Sequence, residues 1–279
     1  MVPGQVLGGI TATLGSLLLG AVDSSGVEWT IGALDGWDSP DVRSSYSDRE
    51  ADHGSWAGPT WLGSRPITLT GTITAPDGPS LDVAMEQLAA AVSFTDTVLV
   101  VNESIPKQAT VRRSGKLIMQ RVTDRIATYS ALVTAADPRR YAATQSTGST
   151  ALPSTSGGLA FPATFPVTFS ATTVNGSIAA ANAGSLETRP VLTITGPVTG
   201  PVQIITLYQD GSTRTLTYAP SVDLVAGDVL VIDTDAHTAT LGGASRRRWM
   251  SGPWPDIPAG QTVQLQFRAA AYNASALLG

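Results

Sequence analysis

The chain has no cysteine, which excludes disulfides, thiolate metal sites and a cysteine nucleophile. Among its 279 residues are two histidines, His53 and His237. An imidazole metal site or a Ser-His-Asp triad would have to be built around one of them. Charge is scarce as well: Asp, Glu, Lys and Arg make up 14% of the chain, against about 25% in an average soluble protein. Lysine occurs only at Lys107 and Lys116, and the other cations are arginines. The net charge of −5 argues against binding nucleic acid by neutralising phosphates. A weakly charged surface suits faces that are buried in an assembly; arginine in place of lysine fits interfaces and equally follows from a GC-rich genome. Long apolar runs are missing too. The densest, Leu14 to Val22, is too short to span a bilayer, and the first basic residue is Arg43, so neither a membrane span nor a secretion signal is expected.

What is present is mostly strand pattern. The apolar start reads as two short strands. Ile67, Leu69, Gly71 and Ile73 alternate with Thr68, Thr70, Thr72 and Thr74, a period of two. The run Val98 to Val101 reads as a strand covered on both faces. Thr110 to Arg113 and Leu117 to Val122, separated by Ser114-Gly115-Lys116, read as a hairpin, followed by a strand from Arg125 to Ala135. A single helix is predicted here. Pro79-Ser80 supplies an N-cap, and Leu81, Ala84, Met85, Leu88 and Val92 share one face.

Residues 35–64 are polar, rich in Gly, Asp and Trp, and lack sustained periodicity. A stretch of this length inside a compact domain is expected to be functional or arm-like. Its tryptophans, Trp37, Trp56 and Trp61, predict an arm that gains order from a neighbour and supplies interface contacts.

No charge lies between Arg140 and Glu187. The Ser/Thr/Gly/Pro-rich part of that stretch, residues 142–159, is read as a linker between domains 1–141 and 160–279. Beyond it the pattern is all β. Strands are expected at Val167 to Ser170, Arg189 to Thr195, Val202 to Leu207, Thr213 to Tyr218, Asp228 to Asp233, Thr238 to Leu241 and Thr262 to Arg268. Turns at Asp210-Gly211, Ala226-Gly227, Gly242-Gly243 and Ala259-Gly260 give an antiparallel sandwich.

Sites of chemistry are few. His53 sits in the polar arm, and His237 follows Asp233-Thr234-Asp235 at a tight turn; both read as turn or loop histidines. The Asp233/Asp235 pair lacks the glycine and distal glutamate of a calcium loop. Asp35, Asp38 and Asp41 lie in the arm rather than across a cleft, which disfavours paired-carboxylate hydrolysis. No cofactor, metal or catalytic site is predicted, and the chain reads as non-enzymatic. Arg246-Arg247-Arg248-Trp249, with Trp254 downstream, is the one basic run. Arginine and tryptophan are common interface anchors, so Arg247, Trp249 and Trp254 join the arm tryptophans as candidate contacts. Stacking on sugars is the alternative use of the same residues.

Several features occur in an order that resembles the distal tail proteins of long-tailed bacteriophages, those of actinobacterial phages among them. These are Val27-Glu28-Trp29 with the Leu34-to-Trp37 turn; Arg65-Pro66-Ile67 before a Thr-rich strand; the single helix; and Asp137-Pro138-Arg139-Arg140-Tyr141. In the second half they are the Phe-Pro pairs at 161–162 and 165–166, Asn182-Ala183-Gly184, Arg189-Pro190, Ile194-to-Pro197, and the run from Ala226 to Gly243. The resemblance implies a mainly β protein with one helix. Its N-terminal domain would be split-β-barrel-like, and its C-terminal β-sandwich galectin-like or carbohydrate-binding-module-like. It further implies a six-fold ring in the virion, made in the host cytoplasm, that joins the tail tube protein to the tail hub and adsorption proteins. Tape-measure protein and DNA would pass through its lumen without specific binding, and no membrane would be involved. A sugar-binding minor tail protein that contacts the host is the alternative reading. A galectin sugar-site pattern is not recognisable in the sequence.

Overall fold

The computed structural model describes residues 9–156, 172–271 and 275–279. The chain divides into two compact units, residues 1–145 and 146–279, each with its own apolar core. The Phe-Pro pairs and the strand expected at Val167 to Ser170 lie outside the described residues.

The first unit contains β1 (Thr11–Leu14), β2 (Leu17–Leu19), β3 (Glu28–Asp35), β4 (Val42–Asp48), β5 (Ser55–Leu62), β6 (Arg65–Thr74), α1 (Gly78–Ala91), β7 (Thr97–Asn102), β8 (Lys107–Arg113), β9 (Ile118–Arg121), β10 (Ile126–Ala135) and β11 (Tyr141–Ala142). All pairings are antiparallel, in the order β2-β1-β7-β8-β10-β6-β3, with β9 on β10 and β11 on β8. The two ends of this sheet meet. Gly20 donates its N–H to Trp29 O at 2.8 Å, and Trp29 donates to Ala21 O at 2.9 Å. At the β8–β10 seam only Arg112 and Arg113 pair, with Thr134 and Val133. The sheet is therefore a barrel that is split at one seam, as the sequence resemblance implied.

The seam corrects one expectation. The strands on either side of Ser114-Gly115-Lys116 do not form a hairpin with each other. β8 pairs with β7 along its length, and β9 pairs with β10. Arg113 N–H donates to Ser93 O, while Ser114 N–H donates to Leu132 O, so the chain changes partner at that point. β7 is also not covered on both faces: Leu99 and Val101 are buried, and Val98 is exposed.

The alternation in β6 is explained by its partner β10. Tyr129 stands opposite Gly71 and donates its hydroxyl to Thr30 O at 2.9 Å. A Cβ on Gly71 would lie 2.6 Å from that hydroxyl. The glycine inside the strand leaves room for the ring.

α1 starts one turn earlier than expected. Asp77 is its N-cap, accepting the Ser80 N–H at 2.8 Å, and Pro79 lies in the first turn. Leu81, Ala84, Leu88 and Val92 are buried against the barrel, as the spacing predicted.

The second unit begins inside the expected linker. β12 (Thr150–Ala151) pairs with β24 (Leu277–Leu278), β13 (Ser154–Ser156) pairs with β14 (Thr172–Val174), and Leu152 is buried in the core. The remaining strands are β15 (Ser177–Ala181), β16 (Val191–Thr195), β17 (Val202–Leu207), β18 (Thr213–Tyr218), β19 (Val229–Asp233), β20 (Thr238–Leu241), β21 (Ala244–Ser245), β22 (Met250–Ser251) and β23 (Thr262–Ala269). Two antiparallel sheets, β12-β24-β16-β19-β20-β21 and β15-β23-β17-β18-β22, enclose one core. Ile194, Leu230 and Ile232 belong to the first sheet, and Ile204, Leu216, Leu265 and Phe267 to the second. This is the expected sandwich. The fold as a whole is mainly β with one α-helix among the described residues.

Candidate interface sites

Residues 42–62 form a two-stranded hairpin, in which β4 pairs with β5 and, among the described residues, with no other strand. Every residue of β4 is exposed, and most of β5 is as well. This explains why no alternation shows in the sequence: neither face packs on a core, so nothing selects apolar residues at a period of two. Tyr46, Trp56 and Trp61 are 69%, 65% and 66% exposed. Arg49 lies over the Trp56 ring, 4.5 Å from its centroid. An isolated two-stranded ribbon is marginal in water, so this one depends on its root.

The root is built from residues that the sequence did not single out as a group. Arg65 is buried and donates to Gly36 O, to Trp37 O at 2.6 Å and twice to Pro138 O. Its guanidinium thereby holds the chain entering the arm and the end of the unit together. Burial pushes the Arg65 pKa below the usual guanidinium value, and the Arg140 charge adds to this, against the pull of Asp38 and Asp137. Trp37, expected among the interface contacts of the arm, is 3% exposed and belongs to the core. Its indole N–H donates to Glu103, and Arg140 lies over its ring at 5.4 Å. Trp37 thus anchors the arm from inside and is not available at the surface.

The second site lies in the other unit. After β20 the chain turns at Gly242-Gly243, forms β21, makes a short 3₁₀ turn at Arg247–Trp249, and enters β22. β21 belongs to one sheet and β22 to the other, so the arginine run is the crossover between them. Arg246 N–H donates to Ala239 O at 2.7 Å, and Ala219 N–H donates to Trp249 O at 3.0 Å. Trp249 and Trp254 are half-buried and pack on the core.

Their rings are covered by cations. Arg248 lies 3.9 Å and Arg246 5.0 Å from the Trp249 centroid, and Arg247 lies 4.9 Å from that of Trp254. His237 stacks on Trp254 with centroids 5.1 Å apart and planes at 22°. Its backbone is left-handed, φ 54°, at the turn where Asp233 accepts the N–H groups of Asp235 and Ala236. That carboxylate is engaged in capping its own turn, as expected for a structural turn.

A third polar cluster was not anticipated. Tyr208 donates its hydroxyl to Asp256, Arg214 donates to the same carboxylate at 2.6 Å, and the guanidinium lies over the Tyr208 ring. Burial and the Asp256 carboxylate push the Tyr208 pKa up to about 12. The cavity beside it is about 200 Å³. Tyr208 and Asp256 lie 48 residues apart, which gave no local signal. Among the described residues, no group of three or more His, Cys, Asp or Glu is placed to hold a metal.

No family model and no curated protein matches the chain. Solved structures do. The Dit (gp 19.1) protein of phage SPP1, a paradigm of the hub adsorption apparatus in phages that infect Gram-positive bacteria, matches with a TM-score of 0.63 at 10% identity, over 96% of each chain. A chain of the phage P2 baseplate in its activated conformation with Ca has a TM-score of 0.48 at 10% identity, over 95% of this chain and 99% of that one. At such identity a likeness speaks for the fold alone. Over the matched 96% of its length, this chain shares the fold of the SPP1 Dit protein.

Proposed function

We propose that this chain is a structural protein of a phage tail tip, a ring of six copies that joins the tail tube to the hub and adsorption proteins. The observation that carries the proposal is the fold shared with the SPP1 Dit protein over nearly the whole chain. Residues 1–145 form the ring and enclose a lumen for DNA and the tape-measure protein. Residues 146–279 attach peripheral proteins. The arm supports the first assignment. It projects from a root fixed by Arg65 and Trp37, and it offers Tyr46, Trp56 and Trp61 to a neighbour. The low charge fraction suits extensive self-contact.

A non-enzymatic role agrees with the scarcity of histidine and with the capping work of Asp233. The sugar-binding alternative is the weaker reading, because the rings of Trp249 and Trp254 are already covered by guanidinium groups.

Native mass measurement of the purified chain tests the proposal. A six-fold ring is expected, with each contact burying more than about 1,000 Å². Trp56→Ala and Trp61→Ala should each weaken it, since truncating a buried interfacial tryptophan costs about 2 kcal/mol or more. A strict monomer at high concentration, or turnover of cell-wall polysaccharide abolished by an Asp or Glu substitution, would overturn it.

A further inference from the structure

We propose that the arginine crossover of the second unit, Arg246 to Arg248 on Trp249 and Trp254, is a docking site for a carboxylate-rich segment of a partner protein. The proposal rests on the reading that this unit attaches peripheral tail proteins.

The first observation is that these three arginines have no ion-pair partner among the described residues. Elsewhere Arg112 meets Asp96, Arg121 meets Asp82, and Arg214 meets Asp256. Among the described residues, no carboxylate forms an ion pair with Arg246, Arg247 or Arg248. The Nε of Arg246 is shielded from solvent and also lacks a hydrogen-bond partner among those residues. Three neighbouring cations repel one another, and a chain of net charge −5 has acids to spare, yet among the described residues none pairs with them.

The second observation is order. Each guanidinium lies over an indole at 3.9 to 5.0 Å. The indoles are themselves seated on the core, and the backbone is pinned at Arg246 N and at Trp249 O. Arg247 and Arg248 are exposed, and a stacked guanidinium there keeps its in-plane N–H groups at the edge, free to form paired bonds to a carboxylate. Because the side chains are held before binding, little rotamer freedom remains to be lost.

The chemistry of the site selects the occupant. Bases and neutral sugars need bare aromatic faces, and these faces are covered. Nucleic acid needs a broad basic field, and this island lies in an acidic chain. A short acidic segment needs only two or three fixed guanidinium groups. The spacing of these fixed guanidinium groups would set the register of the segment.

The test uses the full chain and labelled hexaglutamate, followed by fluorescence anisotropy at low and high salt. Hexaglutamate should bind, more weakly as salt rises. The Arg247→Gln/Arg248→Gln double variant should lose at least about tenfold in affinity with an unchanged melting temperature. An Arg112→Gln/Arg121→Gln control, which removes two exposed arginines of the first unit, should bind like the parent. No binding of hexaglutamate, equal losses in the control, or tighter binding of polyglycerol phosphate than of hexaglutamate would each overturn the proposal. The assembly reading fails separately: a chain that stays monomeric but binds hexaglutamate through Arg247 and Arg248 refutes the ring and leaves the dock standing.

Discussion

Trp37 donates its indole N–H to Glu103 at 2.5 Å, tying the entrance of the arm to the turn between β7 and β8. Lys107 donates to the other carboxylate oxygen at 2.8 Å, and Arg140 approaches to 3.7 Å. One carboxylate thus joins the arm root, the barrel and the end of the first unit.

Trp37 should behave unlike the other arm tryptophans. Trp37→Ala should destabilise the first unit by about 3–5 kcal/mol, the usual cost of emptying a buried aromatic site. Trp56→Ala and Trp61→Ala should leave the melting of the dissociated chain within about 0.5 kcal/mol of the parent, as at other exposed positions. Thermal unfolding of all three variants under dissociating conditions checks this.

Glu103 should make the first unit acid-sensitive. Burial raises its pKa, but the bonds from Lys107 and Trp37 and the charges of Lys107 and Arg140 outweigh this, and the net shift is downward. A depressed folded pKa means that the stabilisation is complete above the unfolded value of about 4.3 and is lost as pH falls through the lower folded value. Glu103→Gln should therefore cost stability at neutral pH and flatten the acid limb. Urea unfolding between pH 3 and 7 reads both effects, and parallel acid limbs in parent and variant would contradict the assignment.

Arg65→Met should loosen the arm before it unfolds the barrel. It leaves the carbonyls of Gly36, Trp37 and Pro138 without their donor, at about 1–3 kcal/mol for each one left unsatisfied. Hydrogen exchange should rise across residues 36–64 while β10 stays protected. Uniform loss of protection would place Arg65 in the global core rather than at the root.

Each unit should fold alone. The two cores have no residue in common, so a protein ending at Gln145 should unfold cooperatively in one transition. Circular dichroism melting checks it, and a non-cooperative melt would mean that the first unit needs the rest of the chain.

The sequence carried the fold where one face of a strand is wet. β17, β18 and β20 fall where the alternation put them. It misled where neighbours decide. Val98 reads as doubly covered because β-branched residues also suit exposed positions. The hairpin at Ser114 to Lys116 looked local, although both strands have better partners elsewhere. The two strands of the arm were invisible because they bury nothing. At the sites, the Arg-Trp run was legible as a short motif. His237 on Trp254 and the Tyr208–Asp256 pair join residues far apart in the chain, and no spacing rule reports them. Trp37 was misplaced because its surroundings in sequence are polar, while its partners Glu103 and Arg140 come from other elements.

The crossover also has a mechanical meaning. A pull applied at Arg247 to Trp249 is met on one side by the pairing of Thr240 with Ser245 and Leu241 with Ala244. On the other side it is met by Thr217 with Ser251 and Tyr218 with Met250. The load therefore divides between two sheets at once, and neither edge can peel away by itself without also straining its counterpart. A protein tethered at this point would pull on an edge of each sheet at the same time.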